Sequence, residues 1–357
     1  MQTEWLVPLA QPRQKKRRCE LCLGPATVRC AACLVTYYCD VDHQNADWVS
    51  VHTKICQLLI PLRAAPPFYT SEKERKLGEE QRRNREIFLA EVTYETAQNF
   101  LIKGHYEDAI PAALHSLKFS ISIYGPSAVE LVPAYILLAE TSLGLGHLSQ
   151  GEEYLSQGQW IVLKNTHCSY AIQSKLYRNL GLLHAAKGNF DESLYHLAND
   201  VYFACCAFGT TSNVAVSGGY FHMANVFSHQ NKMDVVDSLY CEVSVDLLSV
   251  EDGVEEDVLG KELETLPPLP PPDEKQQAEA MQMLNSILHF REASLRPQPE
   301  KEAKLLHALA MFHFLVHNLA KVIGKKMQVL QSLKGGGGGA GRQKSQKSPG
   351  QENDRML

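Results

Sequence analysis

Cys19 to Cys56 runs CELCLGPATVRCAACLVTYYCDVDHQNADWVSVHTKIC and places six cysteines and two histidines in the order C-x2-C-x7-C-x2-C-x5-C-x3-H-x8-H-x3-C. Eight soft or borderline donors in 38 residues are enough for two tetrahedral zinc ions, each closed by four side chains. Such sites are structural, with no position left for a catalytic water. A segment this short buries too little apolar surface to fold alone, so metal binding has to supply its folding free energy. Disulfides are the competing chemistry, since six cysteines allow fifteen pairings. Two tight Cys-x2-Cys pairs with histidines in register favour zinc, and the candidate ligands are Cys19, Cys22, Cys30, Cys33, Cys39, His43, His52 and Cys56.

The ligand spacing, together with the internal YYCDVDHQNADW, resembles the MYND-type zinc finger. That resemblance implies a cross-brace, with Cys19, Cys22, Cys39 and His43 on one zinc and Cys30, Cys33, His52 and Cys56 on the other. His43 stands where many members carry cysteine, a departure that zinc tolerates. The resemblance also implies a module that binds proteins, often proline-rich segments of the sense Pro-x-Leu-x-Pro, held by the residues corresponding to Gln44 and Trp48. These two lie four apart and share a face if residues 41–53 form a short helix. An exposed Trp48 offers an apolar platform to an extended chain, whereas a covered one only closes a small core.

Working outward, 357 residues are enough for two or three domains. A hydrophobic fraction of 45% is ordinary for a globular protein, and a net charge of -5 gives no global reason to expect nucleic acid or acidic lipid as a partner. Cys168, Cys205, Cys206 and Cys241 lie within apolar runs and read as reduced core residues of a cytosolic or nuclear protein. The apolar run Trp5–Ala10 is too short for a secretory signal, contains Pro8 and precedes the charges, and nothing reaches the length of a membrane span. Residues 1–18 form a basic arm ending in Lys15, Lys16, Arg17 and Arg18, which reads as charged surface or as a nuclear import signal.

Residues 73–250 carry apolar positions three and four apart and an internal repeat. The clearest copy, LYRNLGLLHAAKGNFDESLYHLAND, has Gly181, Gly188, Phe190 and Ser193 where the tetratricopeptide (TPR) pattern wants small or aromatic residues. The other copies have Gly104, Tyr106 and Ala109; Gly146, Leu148 and Gly151; and Asn231, Met233 and Val236. Turn residues 104, 146, 188 and 231 are spaced by 42, 42 and 43, longer than the usual TPR period, so the helices or loops are longer. Each unit reads as a helix pair buried by its neighbour, and the fold class is mostly α: a small zinc-stabilised finger followed by a TPR-like α-solenoid. Turn glycines supply positive φ, and Asn231 is the next best residue for it. A chaperone clamp is not expected, because Tyr94 and Gln98 do not supply its cations and Lys175 with Arg178 is too small a set.

Residues 251–274 form an acidic, proline-rich linker in which Pro267, Leu269 and Pro271 have the Pro-x-Leu-x-Pro spacing, so this segment can dock on the finger at Gln44 and Trp48 or simply space two domains. Residues 275–333 return to a helix pair with a break at RPQP; His313 and His317 are four apart there but lack further ligands. Residues 334–357 are low in complexity and read as a disordered tail with Ser348 before Pro349.

Three functions compete. A non-enzymatic adaptor fits two protein-binding modules on one chain. A SET-type lysine methyltransferase also joins such a finger to TPR-like helices, but it needs a split catalytic domain and an Asn-His-Ser signature that this sequence lacks. A nuclear corepressor-binding protein would use the same finger with the basic run as import signal. The full module order resembles MYND and TPR proteins of motile cilia and sperm flagella, which implies TPR-containing and axonemal dynein-associated partners in the cytoplasm and axoneme.

Overall fold

The computed structural model describes residues 2–6, 17–64, 68–165, 167–209, 214–249, 274–293 and 298–315. Pro267, Leu269, Pro271, His317, Ser348, the tail and most of the basic arm lie outside them. Two compact units divide after Ala280.

The first unit opens with a three-stranded antiparallel sheet in the order β1 (Thr3–Trp5), β2 (Val28–Cys30), β3 (Tyr37–Tyr38). The sequence had suggested only a basic arm before Cys19, so β1 is new. After the sheet the chain is helical from α1 (Val41–Asp47) through a π turn (Trp48–His52) into α2 (Thr53–Arg63). Asp40 caps α1, its carboxylate accepting from the His43 amide at 2.7 Å.

Four helix pairs follow: α3 (Glu72–Ile102) with α4 (Tyr106–Tyr124), α5 (Val132–Gly144) with α6 (Leu148–Lys164), α7 (Tyr170–Ala186) with α8 (Phe190–Phe208), and α9 (Val214–His229) with α10 (Met233–Ser249). A capping box between Ser71 and Glu74 starts α3. Each pair turns at a residue of positive φ, Gly104 (75°), Gly146 (75°), Gly188 (79°) and Asn231 (63°), and the second helix begins two residues later. The residue after the turn donates its amide to a carbonyl five back: His105 to Phe100, His147 to Ser142, Asn189 to His184 and Lys232 to Phe227, at 2.8–3.1 Å. This is the Schellman closure, repeated four times, and it explains why glycine or asparagine recurs there.

Packing runs between pairs as well as within them. One core joins Val132, Ile136 and Ala139 of α5, Leu155 and Ile161 of α6, and Leu176, Leu180 and Leu183 of α7. Five residues after each turn, Ala109, Gly151, Ser193 and Val236 are buried, and the Ser193 hydroxyl donates to the Gly181 carbonyl at 2.7 Å. The aromatic residues after the turns are half-buried wedges against the next pair. The Tyr106 ring fills the space a Cβ on Gly144 would need, and Phe190 stacks on His229 with ring centroids 5.9 Å apart. Of the cysteines outside the finger, Cys168 is buried, Cys205 and Cys241 are half-buried and Cys206 is exposed, so a core place holds for Cys168 alone. Cys206 sits beside Tyr202 on an outward face of α8, where apolar sequence neighbours do not bring burial.

α11 (Glu274–Glu292) runs into the second unit, which also holds α12 (Pro299–Leu315). Met283, Leu284, Ile287 and Leu288 form the buried stripe of α11, and Leu305, Leu306, Ala308 and Leu309 that of α12. No described helix is long and apolar enough to cross a membrane.

Candidate metal centre

The finger is built from two knuckles of one design. In each Cys-x2-Cys the residue after the second cysteine takes a left-handed conformation, Leu23 at φ 59° and Leu34 at φ 61°. Its amide donates back to the first cysteine's carbonyl, Leu23 to Cys19 at 3.2 Å and Leu34 to Cys30 at 2.9 Å. A leucine is strained there, by about 1–2 kcal/mol, and a chain keeps such strain where something else fixes the geometry. Here it turns both sulfurs of each pair to one side.

The eight candidate ligands gather into two sets, Cys19, Cys22, Cys39 and His43, and Cys30, Cys33, His52 and Cys56, with donor atoms in each set within 4.8 Å of one another. In the first set Cys39 Sγ lies 2.9 Å from His43 Nδ1 and 3.6 Å from Cys22 Sγ, while Cys19 Sγ is 3.5 Å from His43 Nδ1. In the second, Cys33 Sγ is 3.7 Å from His52 Nε2 and Cys30 Sγ is 4.0 Å from Cys56 Sγ. Tetrahedral bonds of about 2.3 Å to sulfur place neighbouring ligands roughly 3.8 Å apart, so both sets have the dimensions of a zinc site.

The electrostatics of the buried second set point the same way. Burial opposes ionisation of Cys33, but hydrogen bonds from His52, Thr36 and the Val35 amide outweigh it and bring the thiol down to about 6. Cys56 is pushed up to about 12 by burial and by the charges of Cys33 and Cys30. Cys33 is thus ionised in a covered pocket where further thiolates cannot form without a cation, and two structural zinc ions, one per set, supply it. His52 would ligate through Nε2, which lies 3.7 Å from Cys33 Sγ. Its Nδ1 is on the side of Asp47 Oδ2 at 3.5 Å, beyond hydrogen-bond geometry but where a carboxylate stands behind a ligating histidine.

Asp47 links the metal set to the repeats. Its buried carboxylate accepts from the Tyr38 hydroxyl at 2.6 Å and pairs with His115 Nε2 of α4 at 2.9 Å. Burial would raise this carboxyl, yet the charge and hydrogen bond of His115 and the bond from Tyr38 hold it below the ordinary aspartate value. Beside it, the Ser50 hydroxyl donates to the Asp108 carbonyl at 2.5 Å and accepts from the Ala112 amide at 3.2 Å. An uninterrupted helix would pair those two backbone groups with each other; Pro111 opens α4 at that point, and the finger's serine fills the opening. Glu20 adds a second tie, forked with Arg63 at 2.5 and 3.1 Å and reached by Lys118 of α4. Val51, Ile55, Leu59 and Leu62 share one apolar core with Leu89, Ala112, Phe119 and Leu137, so finger and first pair are a single packed body.

Gln44 and Trp48 lie on the helical stretch as their spacing predicts, in different surroundings. Gln44 is 0% exposed, its Nε2 donating to the Gln2 carbonyl at 3.1 Å and its Oε1 buried without a partner. Trp48 is half-buried against the finger core, its ring 5.7 Å from that of His52. Sequence reasoning passed over Asp47, Ser50 and His115; the one available signal was Pro111 inside a helical repeat.

Of Lys175 and Arg178, Lys175 is exposed and Arg178 is taken up by other residues. Arg178 pairs with Asp200 at 2.8 Å and Glu279 at 3.0 Å, and donates to the Ala215 carbonyl.

Among solved structures, the chain is similar to BtubC (BKLC) from P. vanneervenii, at 13% identity and a TM-score of 0.37 over 85% of this chain and 98% of that one. It is similar also to a putative kinesin light chain of Podosopora anserina with nearly identical TPR-like repeats, at 14% identity and a TM-score of 0.37 over 69% and 95% of the two chains. A Rap protein complexed with competence and sporulation factor matches at 12% identity and a TM-score of 0.41 over 80% and 73%. The repeat assignment rests on the helix pairs and their turns. Residues 19–56 match the family model of the MYND finger, and with both four-donor sets in place the chain is a zinc-stabilised MYND finger followed by a TPR-like α-solenoid.

Proposed function

We propose that this protein is a non-enzymatic adaptor carrying two protein-binding surfaces, one on the finger and one on the repeats. The observation that carries this reading is the closure of both metal sets by four protein donors each, which makes the metal structural and leaves the module for recognition. The peptide surface of the finger centres on Gln44 and Trp48, and its ligands are extended Pro-x-Leu-x-Pro segments, the chain's own Pro267, Leu269 and Pro271 among them.

The module order is similar to that of zinc finger MYND domain-containing protein 12. On that likeness the adaptor works in the cytoplasm and in the axoneme of cilia and flagella, with TPR-containing and dynein-associated partners. Affinity purification of the tagged full chain beside Trp48→Ala, read by mass spectrometry with zinc counted on both, tests this. Axonemal or TPR proteins with a subset lost in the variant are expected. Recovery of nuclear corepressors would replace the axonemal reading with a nuclear one.

A further inference from the structure

We infer that the N-terminal strand β1 is a built-in occupant of the finger's ligand-binding edge, displaced when an extended segment of a partner protein pairs with β2. The inference rests on the adaptor reading and adds to it how the site is kept closed.

The strand is the outer member of the sheet, in the register Thr3 with Cys30, Glu4 with Arg29 and Trp5 with Val28. The Ala31 amide donates to Gln2 at 3.1 Å and the Leu6 amide to Thr27 at 2.8 Å. By the alternation of an antiparallel ladder, Gln2, Glu4 and Leu6 occupy the hydrogen-bonded positions. Backbone pairing and the Glu4–Arg29 ion pair at 2.6 Å hold it, with little help from burial: Trp5 remains 65% exposed although it lies opposite buried Val28. Both partners of that ion pair are themselves partly exposed, so it is weak.

Gln44 supplies the second, independent observation. Its side chain is wholly covered and aimed at the Gln2 carbonyl just before the strand, yet only the Nε2 half is used; Oε1 is buried with no partner. A carboxamide has N–H donors at one end and an acceptor oxygen at the other, and a backbone segment that offers both a C=O and an N–H engages both ends. Gln2 offers one. A partner segment that also brings an amide N–H to Oε1 gains a bond that the resident strand leaves unmade, and an unmade buried bond is costly. The ligand that fits is an extended segment of about five residues, antiparallel to Thr27–Ala31, with any prolines at positions that do not donate to the ladder; an acidic residue opposite Arg29 adds the ion pair that Glu4 makes.

A fluorescent peptide of the sequence MQTEWLVPLAQP serves as probe, titrated into the intact chain, the full chain lacking residues 2–6, and the intact chain bearing Glu4→Pro. Proline at position 4 removes a ladder donor and the ion pair together. A tethered strand that stays in place must bind in trans below the roughly millimolar local concentration that a short tether supplies. The strand-deleted chain should therefore bind the probe below that concentration, and the intact chain about tenfold or more weaker. The Glu4→Pro chain should fall between, and a probe carrying the same proline should lose binding. Zinc counted on each chain confirms that the finger is folded, and Glu4→Pro serves if the deletion releases metal. Absence of binding up to millimolar probe, or equal binding by the intact and strand-deleted chains, would overturn the inference. Failure to recover partner proteins from cells would sink the adaptor reading and leave this measurement standing, because it uses purified chain and synthetic peptide.

Discussion

Replacing Asp47 by alanine removes the side chain through which the second metal set meets the repeats. Its covered carboxylate accepts from Tyr38 at 2.6 Å and His115 at 2.9 Å and faces His52 Nδ1 at 3.5 Å. A hydrogen bond to a charged group contributes about 1.5–3 kcal/mol, and removing one member of a buried ionic set costs about 3–5 kcal/mol because the others are left unpaired. The second figure governs here, since Tyr38 and His115 are too covered to turn to water. At about 2–4 °C per kcal/mol, the expected fall in melting temperature with zinc in excess is roughly 6–20 °C. Competition with a chelator should show the set containing His52 losing about 10–100-fold in zinc affinity, the usual effect of deleting a carboxylate behind a ligating histidine. The set of Cys19, Cys22, Cys39 and His43 does not touch Asp47 and should keep its affinity. Asp47→Asn, which preserves volume and one acceptor, should be intermediate. A melting shift equivalent to less than about 1 kcal/mol, or equal loss from both sets, would refute the link between metal and repeats.

Other residues give independent tests. An added Cβ on Gly188 meets nothing within 4 Å, so Gly188→Ala isolates the conformational penalty at φ 79° and should destabilise by about 1–2 kcal/mol in denaturant melts. Asn231→Gly, at the equivalent turn, should be neutral or stabilising by up to about 1 kcal/mol. Burial holds the Glu140 carboxyl above its ordinary value despite the 2.9 Å bond from Asn179. Its contribution is therefore full below the unfolded value, near 4.3, and is lost as pH rises through the folded value; Glu140→Gln should flatten that limb of a stability–pH curve. His222 is depressed to about 3 by burial and by Arg178, so its contribution is present above the unfolded value near 6.5 and is lost as pH falls toward 3. The variant His222→Gln should lack this acid limb.

The metal ligands and the repeat turns were legible because each depends on a local rule. Zinc fixes cysteine and histidine at short spacings, and a positive φ after a helix selects glycine or asparagine, so both leave marks in consecutive residues. Gln44 and Trp48 were legible as a pair on one helix, but period alone does not say which element covers a face, and Gln2 covers Gln44 from 42 positions away. The junction was illegible for the same reason. Asp47, Ser50 and His115 are polar residues in helical stretches, ordinary in the sequence, and they acquire meaning only when a gap at Pro111 or a histidine behind a zinc site is brought opposite them.

The serine that completes α4 has a further consequence during synthesis. Ser50 and every metal ligand leave the ribosome before the first repeat does, and domains generally fold in that order. When α3 and α4 emerge they meet a finished, metal-loaded surface with a hydroxyl placed for the interrupted ladder, and a repeat array started at one end propagates from there. Zinc withheld during synthesis should then lower the yield of natively folded chain.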